Sequence, residues 1–524
     1  MNSWGKLPVS SISSPLTNGA LPSANLSRDE EIARLIDIIN EQNSTLHTQE
    51  IKIKALIQEV SHLRRMRYGI KSEALNPEQR QLFEDDIVQD IAAIEAELTS
   101  ADTTTKPARS RAGRQTLPEH LERIEVRHEP DSCTCTTCQS ALVKIGEDVS
   151  EQLDIEPARF FVIRHIRPQY ACRQCESITA APVAPAVIDG SLAAPGLLTW
   201  VATSKYLDHL PLYRLEQIAA RQQVTLSRST LSEWIGRIGV ALEPLADRLA
   251  TLIKQQQVMH ADETPVNQLD PGAGKTKRAY LWCYRSNDLD TGPPIVVFDY
   301  QVSRSGQHAR DFLHGWRGSL MVDDYGGYKK LFVADSQGAV IELGCWAHAR
   351  RKFFDLQASG THPHAVEALQ RIAKLYAIET ETVGMDHAAR QQHRLQHSVP
   401  ALSQMHDWLI HLRITTADGS GLARAIDYTL KRWSSLIRYA QTGNLPIDNN
   451  PVENTIRPIA LGKKNWLFAG SERAGKRAAA IQSLFATAKL NGIEPAAWLK
   501  DTLEKLPVWT MRRIDELLPI KSIS

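Results

Sequence analysis

The chain has 524 residues, 61 Lys and Arg against 60 Asp and Glu, and a net charge of +1. That length exceeds what one hydrophobic core organises, so several domains are expected, and the even charge balance excludes bulk basicity as a means of holding nucleic acid, leaving local patches. No stretch is long and apolar enough to span a bilayer, the opening MNSWGKLPVSSISS lacks a continuous apolar run, and seven cysteines, four of them in two Cys-x-x-Cys pairs, do not make a secreted disulfide scaffold, so a cytoplasmic chain with reduced, metal-binding thiols is expected.

Residues 1–26 are rich in Ser, Asn and Pro and read as a disordered leader. Over residues 27–68 a seven-residue period sets in at Ile32, Ile39, Leu46, Ile53 and Val60, with Leu35, Leu56 and Leu63 three places on. That is an a/d seam, whose β-branched a residues favour a parallel two-stranded coiled coil and so a homo-oligomer; a helix packed on its own chain is the plainer alternative. Gln42 and Gln49 fall at d and weaken the seam. It ends in the basic run HLRRMRYGIK (62–71), either a solvated face or a phosphate-tracking one. Residues 69–118 hold a short helix over 84–99 and the polar, basic linker TTTKPARSRAGR at 103–114.

Residues 119–188 carry Cys135-Thr-Thr-Cys138 and Cys172-Arg-Gln-Cys175. Two such knuckles a few dozen residues apart are what one tetrahedral, structural zinc ion needs, with Cys133 left over. The alternating, β-branched stretch Ile155 to Tyr170 fits a zinc ribbon. Over 189–250, two short helices are expected, the first over 212–222 and the second opening at Ser227-Arg228-Ser229-Thr230. They resemble a helix-turn-helix whose four opening residues face bases or phosphates; two ordinary packed helices are the alternative.

From 251 to 345 the pattern gives three strands (258–266, 278–284, 294–300), a helix (305–316) and strands over 319–323 and 339–343, the order of a ribonuclease-H-like α/β domain completed by 446–480. Asp262 lies on the first strand and Asp323 ends the fourth. Glu453 follows Asp448-Asn449-Asn450-Pro451; taken alone it reads as a capping box on Asn450 with Arg457 as its partner, but with two strand-borne Asp residues it supplies the hard oxygen ligands of Mg2+ or Mn2+. Gly272-Ala273-Gly274-Lys275-Thr276 ends like a P-loop but has Leu269 where the first glycine belongs, and reads as a hairpin tip. Residues 346–445 form a helical insertion; at its start, Cys345 and His348 invite a metal reading but have no matching second pair, so packing and phosphate contacts are expected there. Arg457, Lys463, Lys464, Arg473, Lys476 and Arg477, with Trp466 and Phe468 between them, make the best basic-aromatic patch for DNA. Residues 481–524 read as a C-terminal helical cap.

The motifs HADETPV, KTKRAYLW, FDYQVSRSGQH, VDDYGGY, GCWAHARRKFF, LPIDNNPVENTIRPIALGKKNWLFAGSERAG and TAKLNG, with GEDVSEQLDIEPARFFVIRHIRP and SKYLDHLPLYRLEQ before them, resemble the transposases of the insertion-sequence-66 family over about residues 30–520. The resemblance implies a DDE-type DNA transposase with a coiled coil, a zinc-binding domain, a helix-turn-helix and a ribonuclease-H-like catalytic domain. Asp262, Asp323 and Glu453 would hold two Mg2+ or Mn2+ ions, cutting element ends and joining them to target DNA, with small accessory proteins encoded alongside and a bacterial, nucleoid-associated location. The family pattern has Gly after the second acid where this chain has Asp324, which keeps Asp324 as the fallback. The competing functions are a metal-dependent nuclease that does not join ends, and a DNA-binding protein without catalysis.

Overall fold

The computed structural model describes residues 117–129, 139–141, 143–156, 159–270, 275–332, 340–358 and 362–521, with Ile53, Leu56, Ile57 and Val60 upstream. Those four positions are helical, with Leu56 and Val60 buried and Ile57 exposed. The rest of the expected coiled coil, the leader, the basic run, the helix over 84–99 and the linker lie outside the described residues, as do Cys133, Cys135 and Cys138.

The first sheet has four strands, β1 (Arg123–Arg127), β2 (Val143–Glu156), β3 (Arg159–Ala171) and β4 (Ile178–Ala180). β2 and β3 form a long antiparallel hairpin, β1 joins β3 in parallel, and β4 folds back on the end of β3. The β3–β4 turn holds Cys172 and Cys175. It is closed by Cys172 N to Ser177 O and Glu176 N to Cys172 O, each 2.9 Å, with Glu176 in the left-handed region.

Three helices follow, α1 (Pro195–Tyr206), α2 (Leu212–Arg221) and α3 (Arg228–Ile253). Pro195 begins α1, where its missing N–H costs nothing, and Ser227 caps α3 by accepting from Thr230 N. α3 runs for 26 residues and is not the short second helix expected, because its apolar stripe continues past Ile238 through Leu242, Leu245, Leu249 and Ile253, all fully buried.

The central sheet is β5 (Val258–Asp270), β6 (Lys275–Ser286), β7 (Val296–Gln301), β8 (Ser319–Val322) and β9 (Ile341–Gly344), in the order β7-β6-β5-β8-β9. β5, β6 and β7 form an antiparallel meander; after α4 (Gly306–Phe312) the chain adds β8 and β9 in parallel on the other side of β5. The β5–β6 register runs out to Asp270 opposite Lys275, as a hairpin there requires; residues 271–274 lie outside the described residues. Alternation gives each strand two apolar faces. Met259, Ala261, Trp282, Tyr284, Leu320 and Val322 pack under α3, whereas Val258, Met321 and Leu343 enter the insertion's core, and Val266, Leu281, Cys283 and Phe298 enter a third.

The insertion consists of α5 (Trp346–Ala358), α6 (Pro363–Glu381), α7 (His387–Thr415), α8 (Gly421–Lys431) and the short α9 (Trp433–Leu436). Its two ends meet at a neck, where Trp346 N donates to Ile447 O at 3.2 Å and Asn449 N to Cys345 Sγ at 3.2 Å. The chain then returns to the sheet through α10 (Asn450–Trp466), α11 (Glu472–Leu490) and α12 (Pro495–Lys505). No helix among the described residues is long and apolar enough to cross a membrane.

Candidate active site

Asp262 stands near the start of β5. Alternation puts it on the face of Val258, towards the insertion, and Glu263 on the face of Met259 and Ala261. The Glu263 carboxylate, buried, pairs with Arg304 at 2.6 Å and accepts from Tyr328 Oη at 2.9 Å, so it is committed to structure. β8 ends at Val322 and Asp323 follows at once. The last rung of the β5–β8 ladder pairs His260 with Met321, Asp262 and Asp323 each follow it by two residues, and the Asp323 charge acts on Asp262. Asp323 Oδ1 accepts from Tyr325 N at 2.8 Å, an Asx turn that fixes the carboxylate at the strand end. Asp324 is held by Arg432 at 2.8 Å, a guanidinium that also takes Glu342 at 3.0 Å. That pair gives Asp324 a structural partner and leaves Asp323 beside Asp262.

Glu453 lies on the first turn of α10, but not in the expected capping box. The N-cap is Asn449, and its side chain does not cap. Instead Asn449 Nδ2 donates to Ala261 O at 2.9 Å and Oδ1 accepts from His260 Nδ1 at 3.0 Å, while Asn450 Nδ2 turns to Asp448 at 2.7 Å. The β5–β8 ladder has ended by Ala261, so the Asn449 amide supplies the donor that β8 no longer provides. This clamp joins the residue before Asp262 to the helix that carries Glu453. Glu453 Oε1 faces His348 Nδ1 at 3.6 Å, rather than Arg457, which is exposed.

Burial, then the Glu263 charge and more weakly those of Asp323 and Glu453, pushes the Asp262 carboxyl up to about 8 against the bond it accepts from Glu263 N. Glu453 is raised by burial, an effect that His348 and Arg351 oppose and Asp448 and Asp323 reinforce. Burial also holds His260 down at about 4, so the ring in the clamp is neutral. A half-buried set of all-oxygen donors that repel one another is suited to a hard divalent cation, which would lower all of these values at once. Among the described residues, however, the one set of three ligating side chains with all donor atoms within 4.8 Å is Cys345, His348 and Glu453. The three acids are therefore spread wider than that and must draw in around an ion.

The residues expected to face DNA divide. Arg457 and Lys464 are exposed on α10, Arg473 is half-buried, and Lys476 is exposed but pairs with Glu472 at 2.7 Å. Lys463 Nζ donates to Pro265 O at 3.0 Å, and Trp466 packs partly into the third core. Arg477 corrects the expectation: it is buried against α3, where Gly239 opens the space, since a Cβ there would stand 2.3 Å from Arg477 Cδ. The Ser227 hydroxyl bonds to those of Ser229 and Thr230 in the cap of α3, and Arg228 pairs with Glu216 of α2 at 3.0 Å. In the zinc-binding region Cys172 is buried, Cys175 is exposed, and Ser140 bonds to Gln174, so the segment just after Cys138 lies against the second knuckle. Reading the sequence missed Asn449, His260 and Arg432. The run Asp448-Asn449-Asn450-Pro451 signals a turn before a helix but not which Asn points inwards.

Comparison with known proteins adds four family matches. The profile described as "Transposase IS66 family" covers residues 190–477, "zinc-finger binding domain of transposase IS66" covers 132–176, "Transposase C of IS166 homeodomain" covers 55–126 and "IS66 C-terminal element" covers 483–520. Among similar curated proteins are three from Sinorhizobium fredii, each carrying the name "uncharacterized protein". The chain is 38% identical to y4jD over 88% of its own length and 93% of that protein's. It is 36% identical to y4qI, over 93% and 91% respectively, and 33% identical to y4hP, over 89% and 88%.

Proposed function

The chain belongs to the IS66 family of transposases, and from that premise we propose that it cuts DNA at the ends of its mobile element and joins the freed 3′-hydroxyl to target DNA. What supports this reading is that Asp262 and Asp323 each follow the last rung of the parallel β5–β8 ladder by two residues and that the Asp323 charge acts on Asp262, with the Glu453 helix clamped to β5 through Asn449. The strand order, a three-stranded antiparallel meander extended by two parallel strands, supports a ribonuclease-H-like domain.

Asp262, Asp323 and Glu453 would hold two Mg2+ or Mn2+ ions, which when bound activate a water or a 3′-hydroxyl and stabilise the leaving oxygen of a phosphodiester. The protein's part is to bring three carboxylates towards one point although burial and mutual repulsion disfavour their charges, which bound cations would offset. The N-terminus of α10 helps, since its first-turn amides favour the Glu453 charge. Arg457 and Lys464, exposed on the same helix, and Arg350, Arg351 and Lys352, exposed on α5, would hold the phosphate backbone near the acids. Cys135 and Cys138 with Cys172 and Cys175 would hold the structural zinc, and the N-terminal seam would pair two subunits.

The test is a cleavage and strand-transfer assay with a labelled element end in Mg2+. Wild-type protein should yield joined product, and Asp262→Asn, Asp323→Asn and Glu453→Gln should each abolish it while still binding the end. Nicked product without joined species would mean a nuclease, and unchanged joining by Asp262→Asn would remove the triad.

A further inference from the structure

Cys345 stands where β9 turns into α5, and His348 lies one turn on, so both present side chains on the same side of the helix start. The partner missing from the sequence comes across the neck of the insertion: Glu453, on α10. The donor atoms of all three lie within 4.8 Å of one another.

Two independent observations point to a ligand between them. His348 Nδ1 and Glu453 Oε1 are both buried atoms without a hydrogen-bond partner, though only 3.6 Å apart. Buried polar atoms are almost always partnered, and two orphans facing one point mark a missing third party, a water or an ion. Cys345 Sγ, fully buried, accepts Asn449 N at 3.2 Å, the kind of amide support that a ligating sulfur uses. The donor chemistry then decides between occupants. Sulfur, imidazole nitrogen and one carboxylate oxygen suit a borderline cation, whereas the all-oxygen acids beside them suit a hard one.

We infer that Cys345, His348 and Glu453 bind a zinc ion distinct from the one in the cysteine knuckles, with a fourth position open to water. Binding the ion would take the thiol proton, which burial otherwise holds on the sulfur by raising its pKa to about 12. The site itself does not depend on transposase chemistry, but its consequence rests on that reading. Zinc held here engages Glu453 with α5 and competes with its use beside Asp262 and Asp323, which makes the ion an inhibitor of the hard-metal site.

The test is metal analysis of the full-length protein after equilibration with micromolar Zn2+ and removal of free ion. The expected content is about two zinc ions per chain for wild type, about one for His348→Ala and for Cys345→Ser, and about two for Asp262→Asn. Should Cys345→Ser fail to fold, His348→Ala and Glu453→Gln decide the matter, since both side chains are partly exposed and their melting temperatures should stay near wild type. About one zinc in wild type overturns the proposal, as does undiminished zinc in His348→Ala. Loss of the second ion in Asp262→Asn also overturns it, because the ion would then sit among the acids. The transposase reading fails separately, through joining that survives Asp262→Asn.

Discussion

The cysteine knuckle and the acid cluster are built in opposite ways. The Cys172 knuckle is local: a few residues of one turn place both sulfurs, and backbone bonds between Cys172, Glu176 and Ser177 hold them. The acid site draws on two strand ends and a helix that are distant in sequence; bonds to near neighbours orient Asp262 and Asp323, but none of them brings the three acids together. What substitutes for proximity is register. Parallel pairing up to His260 and Met321 sends Asp262 and Asp323 past the same end of the ladder, and one amide, Asn449, ties the helix to the strand. Local sites survive changes elsewhere, whereas a register-built site fails as a unit.

That contrast can be broken by experiment, and the largest effect is expected at the knuckle. Cys172→Ser should release the knuckle zinc, whose binding in small domains is worth on the order of 10 kcal/mol. Hydrogen exchange should then show β3 and β4 opening while β5 and β8 stay protected; equal loss in both sheets would erase the distinction. Next, Asp262→Asn should lower cleavage by at least about a thousandfold, roughly 4 kcal/mol of barrier, without loss of end binding. Asn449→Ala leaves all three acids in place but removes the clamp. It should cost about 10–100-fold in turnover and raise the Mg2+ concentration needed for half-maximal activity. A lowered melting temperature with normal turnover and Mg2+ dependence would show that the amide serves stability alone.

A smaller effect comes from pH. Asp262 in the unfolded chain ionises near pH 4, whereas in the fold its pKa is about 8. Between those values folding takes up a proton, so without Mg2+ the protein should lose stability as pH rises through that window. Thermal melts with the knuckle zinc left in place should show the decline, Asp262→Asn should flatten it, and Mg2+ should reverse it near pH 8. Smallest of all, Asp324→Asn should change cleavage only a few-fold, because Arg432 rather than a metal holds Asp324. A loss as deep as that of Asp262→Asn would reassign the second acid.

How far the sequence could be read follows the same division. The meander, α4, β8 and β9 were legible from alternation, with ends shifted by a few residues, because each strand's two faces enter different apolar cores. Asp262 and Asp323 were legible as acids on or just past strands, but their approach to one another depends on a register that no local pattern encodes. Glu453 read locally as a cap partner, and only the company of two strand-borne acids, reinforced by the family resemblance, raised it above that. Arg477 was misjudged because charge near charge looks like a surface, whereas the space that buries it is made by Gly239 on α3. The pairing of Cys345 and His348 with a third ligand was invisible for the same reason as the clamp: the partner crosses the neck of the insertion.

That neck has a consequence for how the protein can change. The bonds Trp346 N to Ile447 O and Asn449 N to Cys345 Sγ fasten the entrance and exit of the insertion to each other, and the helices between them share a core mostly of their own. Such a loop behaves as a cassette on a closed collar. The turn around Gly384 is not free to vary, because Arg390 joins Met385 O to Gly443 O beside the collar. The exposed turn around Gly419, whose bonds to Arg413 and Arg424 stay within the insertion, is where helices can be lengthened or trimmed without shifting Glu453 against β5. A fluorescent or affinity domain grafted at that turn therefore has a route to leave the acids undisturbed.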